Sequence, residues 1–558
     1  MSTPVSRLLG ALCLIALALP TGSSASAAGI YDGPIPQTAC GPGSLPESGI
    51  SGRVPTSEVD SGRAAKGYRC NTVQVGHFGV TGGFQVHRYV DKAGHDCAFF
   101  DSTLLFPKDA ATNAAEGLGV FVMDMKDPTH PVHTASLTTP AMLSPHESLR
   151  VNQARGLLAA DMGYPSTNPG FVDVYDISKD CLHPTLDSST PLGILGHESA
   201  FAPDGKTFYV SSTGGHTVTA VDVSNPMVPT IVWSTVAYDA HGMSISDDGN
   251  RLYMADIGNP STPGLTILDV SQVQNRTLNP SVPEVSHITW PEVSIPQNAL
   301  PITIKGKPYV VEVDEYTSKT LALPTGIPSD TNTYQPDAKV GAARIIDISN
   351  EKAPKVISNM RLAVNQTAAR ATDQRNDPGA SSPVQGYAGH YCAVPQRTDP
   401  TIVACSFIVS GLRVFSIKDP YHPKEIAYFN GPVVPATVPT APGAPAAKEG
   451  AFAMSAPAFV PARNEIWYTD GNSGFYVVRL TASAFAPAKV VARPVTKPAA
   501  PSTPRSSGSA SGGPSGSPSG NPSGSAGTLP TTGLPPLLPW LGAALAATGF
   551  VMLRRRRA

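Results

Sequence analysis

Val218-Thr-Ala-Val-Asp-Val-Ser-Asn-Pro-Met-Val-Pro229 reads as a strand that carries its own stop signal. β-branched and apolar residues run up to an Asp and one further apolar residue. Ser-Asn-Pro then breaks the strand, because Pro removes a ladder donor and Ser and Asn bond their own backbone. The phrase recurs as Val120-Phe-Val-Met-Asp-Met-Lys-Asp-Pro128, Val172-Asp-Val-Tyr-Asp-Ile-Ser178, Leu265-Thr-Ile-Leu-Asp-Val-Ser271, Ala343-Arg-Ile-Ile-Asp-Ile-Ser-Asn350 and Leu412-Arg-Val-Phe-Ser-Ile-Lys-Asp-Pro420. A weaker last copy is Phe475-Tyr-Val-Val-Arg-Leu480. The repeated acid is Asp124, Asp176, Asp222, Asp269 and Asp347, with Ser416 and Arg479 in its place in the last two copies. Its expected role is structural, as an acceptor for backbone N–H groups of the turn that follows. Short strands at a period of about 40–50 residues predict a propeller with one copy per blade.

Each repeat opens on a second phrase, most often a His followed by small or apolar residues: Gly94-His-Asp-Cys-Ala98, Pro145-His-Glu-Ser-Leu149, Gly196-His-Glu-Ser-Ala200, Ala240-His-Gly-Met-Ser244 and Gly389-His-Tyr-Cys-Ala393. Gln297-Asn-Ala299 and Met454-Ser-Ala456 stand at the fifth and seventh openings. Turns such as Pro203-Asp-Gly-Lys206 and Asp247-Asp-Gly-Asn250 are strong hairpin signals. They lead into a second strand, the Asp-bearing strand is third, and residues beyond the Pro turn, such as Thr230-Ile-Val-Trp233, form a fourth. The last repeat lacks its outermost strand. An open seam would expose strand edges, so the stretch Asn71 to Phe78 is expected to complete it and close the ring. The expected fold is all-β: a single propeller of seven four-stranded blades, closed by an N-terminal strand, with a disordered C-terminal spacer. No window carries sustained helical periodicity.

In a chain of 558 residues the formal net charge is −2, which offers nucleic acid no basic face. Residues 1–28 read as a secretory signal peptide, with a short apolar run from Leu8 and small residues up to Ala28. Residues 29–68 are a Pro-, Gly- and Ser-rich lead-in without period, and 69–481 the propeller. Residues 482–528 are a Pro/Ser/Gly-rich spacer too poor in apolar residues to bury a core. The last segment, 529–558, holds Leu529-Pro-Thr-Thr-Gly533, an apolar stretch to Leu553 about long enough to cross a bilayer, and Arg554-Arg-Arg-Arg557. Cys13 leaves with the leader. The remaining Cys40, Cys70, Cys97, Cys181, Cys392 and Cys405 are an even set in an exported chain and favour disulfides. Cys392 and Cys405 flank a turn and can face each other across a hairpin, while the other four leave three pairings open. No two cysteines have ligand-pair spacing for a metal.

The Val-Asp-Ile-Ser-Asn-Pro phrasing resembles the LVIVD repeat of bacterial surface propellers, over roughly Cys70 to Leu480. The C-terminal segment resembles the LPXTG cell-wall sorting signal of Gram-positive surface proteins. That resemblance implies a sortase cutting between Thr532 and Gly533, with Leu529, Pro530, Thr531, Thr532 and Gly533 as its motif. It further implies a transient membrane span before sorting and a peptidoglycan-anchored, extracellular protein.

Chemistry is concentrated in His95, His146, His197, His241 and His390, which hold the same place in five repeats. If that place starts the innermost strand, the imidazoles converge near the mouth of the axial channel. There they could hold copper, zinc or iron, with Glu147 and Glu198 as carboxylate ligands or orienting partners. The competing reading is packing, in which each His bonds within its own blade (His197 to Asp222, for example). No nucleophile elbow, phosphate loop or zinc-protease helix is present. The leading expectation is therefore a non-catalytic binding or adhesion module that presents the insertions at Glu315–Val340, Ala368–Gly386 and Val433–Lys448 to an extracellular protein or glycan. The alternative is an extracytoplasmic metal-dependent enzyme, an oxidoreductase among the options, built on the His ring.

Overall fold

The computed structural model describes residues 33–103, 116–163, 169–213, 215–258, 262–318, 338–378, 386–435 and 449–485. The expected leader, most of the expected spacer and Leu529–Gly533 lie outside them, as do most of the Glu315–Val340 and Val433–Lys448 insertions. Among the described residues, seven antiparallel sheets of four or five strands are arranged as successive blades. Blade 1 is Val86–Val90, Asp96–Asp101, Val120–Asp124 and Val132–Leu137. Blade 2 is Arg150–Asn152, Leu157–Asp161, Val172–Asp176 and Thr185–Thr190. Blade 3 is Glu198–Phe201, Thr207–Ser212, Thr217–Asp222 and Thr230–Thr235. Blade 4 is Ala240–Ile245, Arg251–Asp256, Gly264–Asp269 and Glu284–Ile288. Blade 5 is Ile295–Ile304, Lys307–Glu315, Ala343–Asp347 and Lys355–Met360.

Blades 6 and 7 are finished from the N-terminal side. In blade 6, Gly389–Ala393, Ile402–Phe407, Gly411–Ser416 and Lys424–Asn430 gain a fifth strand, Tyr68–Cys70. In blade 7, Ala458–Val460, Glu465–Asp470 and Gly474–Leu480 receive Thr72–Phe78 as their outer strand, with Thr72 opposite Leu480 and Phe78 opposite Phe475. The ring thus closes by the strand the sequence picks out. The extra strand in blade 6 follows from chain continuity, since Tyr68–Cys70 lies beside Thr72–Phe78 on the way in. First strands of neighbouring blades touch one another, which places them innermost, around the axis. Apolar residues from facing blades form the core between sheets, such as Phe99, Val122 and Leu158 across blades 1 and 2. Among the described residues no helix is long and apolar enough to cross a membrane.

The repeated Asp residues end the third strands in identical turns. Asp124, Asp176, Asp222, Asp269 and Asp347 each accept the backbone N–H two residues on, from Lys126, Ser178, Ser224, Ser271 and Ser349 at 2.7–2.9 Å. The lead-in is more ordered than its composition suggests. Thr56–Asp60 is helical, and Arg53 forms a two-bond ion pair with Asp377, where the fork matches the carboxylate. At the other end Ala482–Phe485 makes a 3₁₀ turn that buries Ala484, so order runs slightly past 481.

The cysteines pair as Cys40–Cys70, Cys97–Cys181 and Cys392–Cys405. The second joins blade 1 to the turn after the third strand of blade 2 and closes 84 residues of chain. Replacing Cys97 and Cys181 by Ser is expected to cost about 3 kcal/mol, read as a lower urea midpoint.

Candidate metal centre

The expected first strand of blade 1 is one strand out. Val86–Val90 is the inner strand, so Gly94-His95 belongs to the hairpin after it. His95 therefore lies away from the axis, its Nδ1 2.8 Å from Asp91 Oδ2 and 3.7 Å from Asp180 Oδ1. Its place at the axis is taken by Phe84, whose ring lies 4.4 Å from that of His146 and 5.3 Å from that of His390.

The other four imidazoles do converge, three of them on carboxylates of other blades. His146, His197, His241 and His390 surround the carboxylates of Glu147 and Glu315. His390 Nε2 is 3.3 Å from Glu147 Oε1 and 3.4 Å from Glu315 Oε2. His241 Nε2 is 3.3 Å from Glu147 Oε2 and 3.6 Å from Glu315 Oε1. His197 Nε2 is 3.4 Å from Glu147 Oε2, and His146 Nε2 is 4.0 Å from Glu147 Oε1. The pairing of His197 with Asp222 does not form, because Asp222 accepts from Arg276 and Ser224.

Local backbone explains how the side chains reach the axis. The inner strands of blades 4, 5 and 6 shift register at the same place, between Ala240 and Met243, Pro296 and Asn298, and Gly389 and Cys392. Such bulges re-aim a side chain. Here they carry His241, Gln297 and His390. In blade 2, His146 has φ +50°, a conformation rare for a residue with a Cβ, and it turns Glu147 inward. Gly196 is needed because a Cβ there would stand 2.1 Å from Asp161 Oδ1.

The hydrogen bonds on the far side of the rings fix which nitrogen faces the centre. His241 Nδ1 is 2.8 Å from the Pro296 carbonyl oxygen, and His390 Nδ1 is 2.6 Å from that of Met454, each in the next blade. A carbonyl only accepts, so Nδ1 carries a proton and Nε2 points inward. The inward nitrogens face carboxylates. Burial alone would lower both imidazoles, but Glu147 and Glu315 raise His241 and His390 to about 9. Burial alone would raise Glu147, but the surrounding imidazoles, His241 foremost with His197 and His390, hold it well below the usual carboxylate range. Glu198 is turned elsewhere. It pairs with Arg150, accepts from the Tyr391 hydroxyl at 3.2 Å and from Met243 N–H at 3.0 Å, and burial raises it to about 7.

The imidazole–carboxylate separations of 3.3–4.0 Å are longer than charge-assisted hydrogen bonds. Charge-assisted N–H···O bonds run about 2.7–2.9 Å. Donor atoms on a tetrahedron with bonds near 2.1 Å stand about 3.4 Å apart. Donor atoms of His146, Glu147 and His197 all lie within 4.8 Å of one another.

Sequence reasoning missed Glu315, Phe84 and the environment of the fully buried Gln297. A signal for Glu315 existed. Second strands end on Asp101, Asp161, Asp256 and Asp470, and blade 5 ends on Asp314-Glu315, one acid longer. Asp101, Asp314 and Asp470 accept backbone N–H groups from Phe84, Ser294 and Phe452, pinning the chain that leads into the inner strand.

The fold and its axial cluster define a seven-bladed, disulfide-linked propeller with a buried histidine–carboxylate centre. Within it, residues 243–267 match the model of the LVIVD repeat, so the chain carries at least one such repeat. No curated protein matches the chain. Among solved structures it is similar to a putative 6-phosphogluconolactonase from Bacteroides fragilis, with 10% identity, TM-score 0.39 and coverage of 65% of this chain and 91% of that one. It is also similar to the Cps50 (Swd1) β-propeller domain of Myceliophteria thermophila, with 11% identity, TM-score 0.44 and coverage of 74% and 100%.

Proposed function

We propose that this protein is an exported, wall-anchored propeller that holds a divalent transition-metal ion on its axis and acts as a metal-dependent enzyme. The observation that carries the reading is the convergence of four imidazoles, from blades 2, 3, 4 and 6, on two buried carboxylates, with Nδ1 of two rings locked to neighbouring blades. His146, His197, His241 and His390 are the proposed nitrogen ligands, and Glu147 and Glu315 ligands or their orienting partners. Imidazole and carboxylate suit copper, zinc and iron alike. A bound ion would supply a Lewis acid, or for iron and copper a one-electron couple. Packing alone is the weaker explanation, since it needs neither a third and fourth imidazole nor two acids in one buried place. Protein purified without chelators, then loaded with copper, zinc or iron and desalted, is expected to retain about one ion per chain by elemental analysis. Chain free of metal after all three loadings would overturn the proposal.

Export is supported by the three disulfides, which persist in oxidising compartments. Anchoring rests on residues 529–558 alone. Muramidase-released protein is expected to end at Thr532 joined to a wall peptide, and a mass extending through Arg557 would exclude sorting.

A further inference from the structure

Further along the same inner strands, beyond the imidazoles, the axis opens into a cavity of about 360 Å³. Three arginines, Arg88, Arg150 and Arg397, line it, and among the described residues no Asp or Glu does. Each Arg has an acid partner set back from the lining: Asp96 for Arg88, Glu198 for Arg150 and Asp247 for Arg397. Those bonds leave guanidinium donors over, because Arg88 binds Asp96 through Nε and Nη2, and Arg397 uses Nη1 for Ile245 O and Asp247. His87 adds no charge, since burial and the neighbouring Arg150 lower it to about 3, and its Nε2 meets the Leu149 carbonyl oxygen. The remaining wall is mixed: apolar Met243, Leu300 and Phe459 beside the amides of Gln85 and Asn298. Gln85 is 2% exposed, and its Nε2 has no hydrogen-bond partner. A buried amide N–H without an acceptor is costly unless something supplies one.

We propose that this cavity binds a small organic carboxylate, its charge held by the Arg88 and Arg397 guanidiniums against the Arg150 floor and its body against the apolar wall. The cavity is of ligand size, and its charged groups are all donors. An anion with an apolar body satisfies the cationic lining, the amide of Gln85 and the apolar wall together. Arg150, Glu198 and Tyr391 stand between this cavity and the imidazoles, Tyr391 packing edge-on against His390 with ring centroids 4.8 Å apart. The site therefore does not depend on a bound metal.

The test uses the full chain in EDTA and low salt, with benzoate, its uncharged analogue benzamide and sulfate as probes, by calorimetric titration. Benzoate is expected to bind saturably below about 1 mM and at least about tenfold more tightly than benzamide, with sulfate weaker for want of a body. Arg397→Ala and, separately, Gln85→Leu are expected to weaken benzoate about tenfold and fivefold while leaving the unfolding transition in place. Arg150 is left intact because it neutralises buried Glu198. Equal affinity for benzoate and benzamide, no saturable benzoate binding, or benzoate affinity unchanged in both variants would overturn the assignment.

Discussion

Replacing Glu147 by Gln is expected to remove about 4 kcal/mol of stability from the metal-free protein near pH 6 and to reduce its pH dependence between 6.5 and 9. Glu147 is the carboxylate that all four axial imidazoles approach, within 4.0 Å. Taking one charge out of a buried ion pair leaves its partners uncompensated and costs about 3–5 kcal/mol. The sign of the pH effect follows from the shifts. His241 and His390 are raised from 6.5 to about 9 on folding, so their contribution is fully present below 6.5 and is lost as pH rises through about 9. Glu147 is lowered from 4.5, so its contribution is present above 4.5 and lost as pH falls through its folded value. Wild-type stability in EDTA should therefore be highest below pH 6.5 and then decline by about 5 kcal/mol toward pH 9, whereas Glu147→Gln should decline less, its imidazoles facing Glu315 alone. Metal reverses the slope, because ligand imidazoles must be deprotonated, and the stabilisation by added metal should grow over the same interval. Urea titrations at pH 6, 7.5 and 9, with EDTA and with metal, read both effects. A metal-free wild type whose stability does not change from pH 6.5 to 9 would rule out imidazolium–carboxylate pairing at the axis.

The same residues show what a sequence makes visible. The third-strand phrase is legible because one local solution, an Asp accepting the N–H two residues on, is reused in blade after blade, and its spacing alone announces the repeat. Ring closure is legible as a missing strand that Thr72–Phe78 then supplies. The axial site is only half legible. Gly94-His95 imitates the Gly-His of true openings, but it sits in a hairpin, and blade 1 offers Phe84 at the axis instead. Glu147 and Glu198 follow their His identically in sequence and diverge in space. His146 takes a left-handed backbone that swings Glu147 inward, while Glu198 starts a strand and meets Arg150. Glu315 arrives from the end of a second strand in blade 5, a long-range placement that no local pattern encodes. Disulfide partners for Cys97 and Cys40 depend on the same long-range geometry.

Arg413→Ala should be the most destabilising single change outside the axis, at about 5 kcal/mol, and should loosen the N-terminal lead-in first. Arg413 is fully buried between Glu47 and Glu425, lies 4.4 Å over the Tyr428 ring and donates to Ser410 O at 2.9 Å. Glu47 belongs to the lead-in and Glu425 to blade 6, so one guanidinium neutralises two acids from segments 378 residues apart in the chain (425 less 47). Alanine leaves both acids buried without a cation. Burial already holds Glu425 above its ordinary value despite Arg413, so in the variant it would take up a proton on folding near neutral pH. A raised carboxyl favours the folded state as pH falls, and the deficit should therefore shrink between pH 8 and pH 5. Limited proteolysis should cut before Cys70 in the variant at pH 8 while leaving the blades intact. Exchanging all three charges for apolar residues, as Glu47→Leu, Arg413→Met and Glu425→Leu together, should restore most of the stability, because a buried ion cluster is costly to break and cheap to replace whole. If the single and triple variants lose equal stability, the guanidinium acts through its packing on Tyr428 and not through its charge.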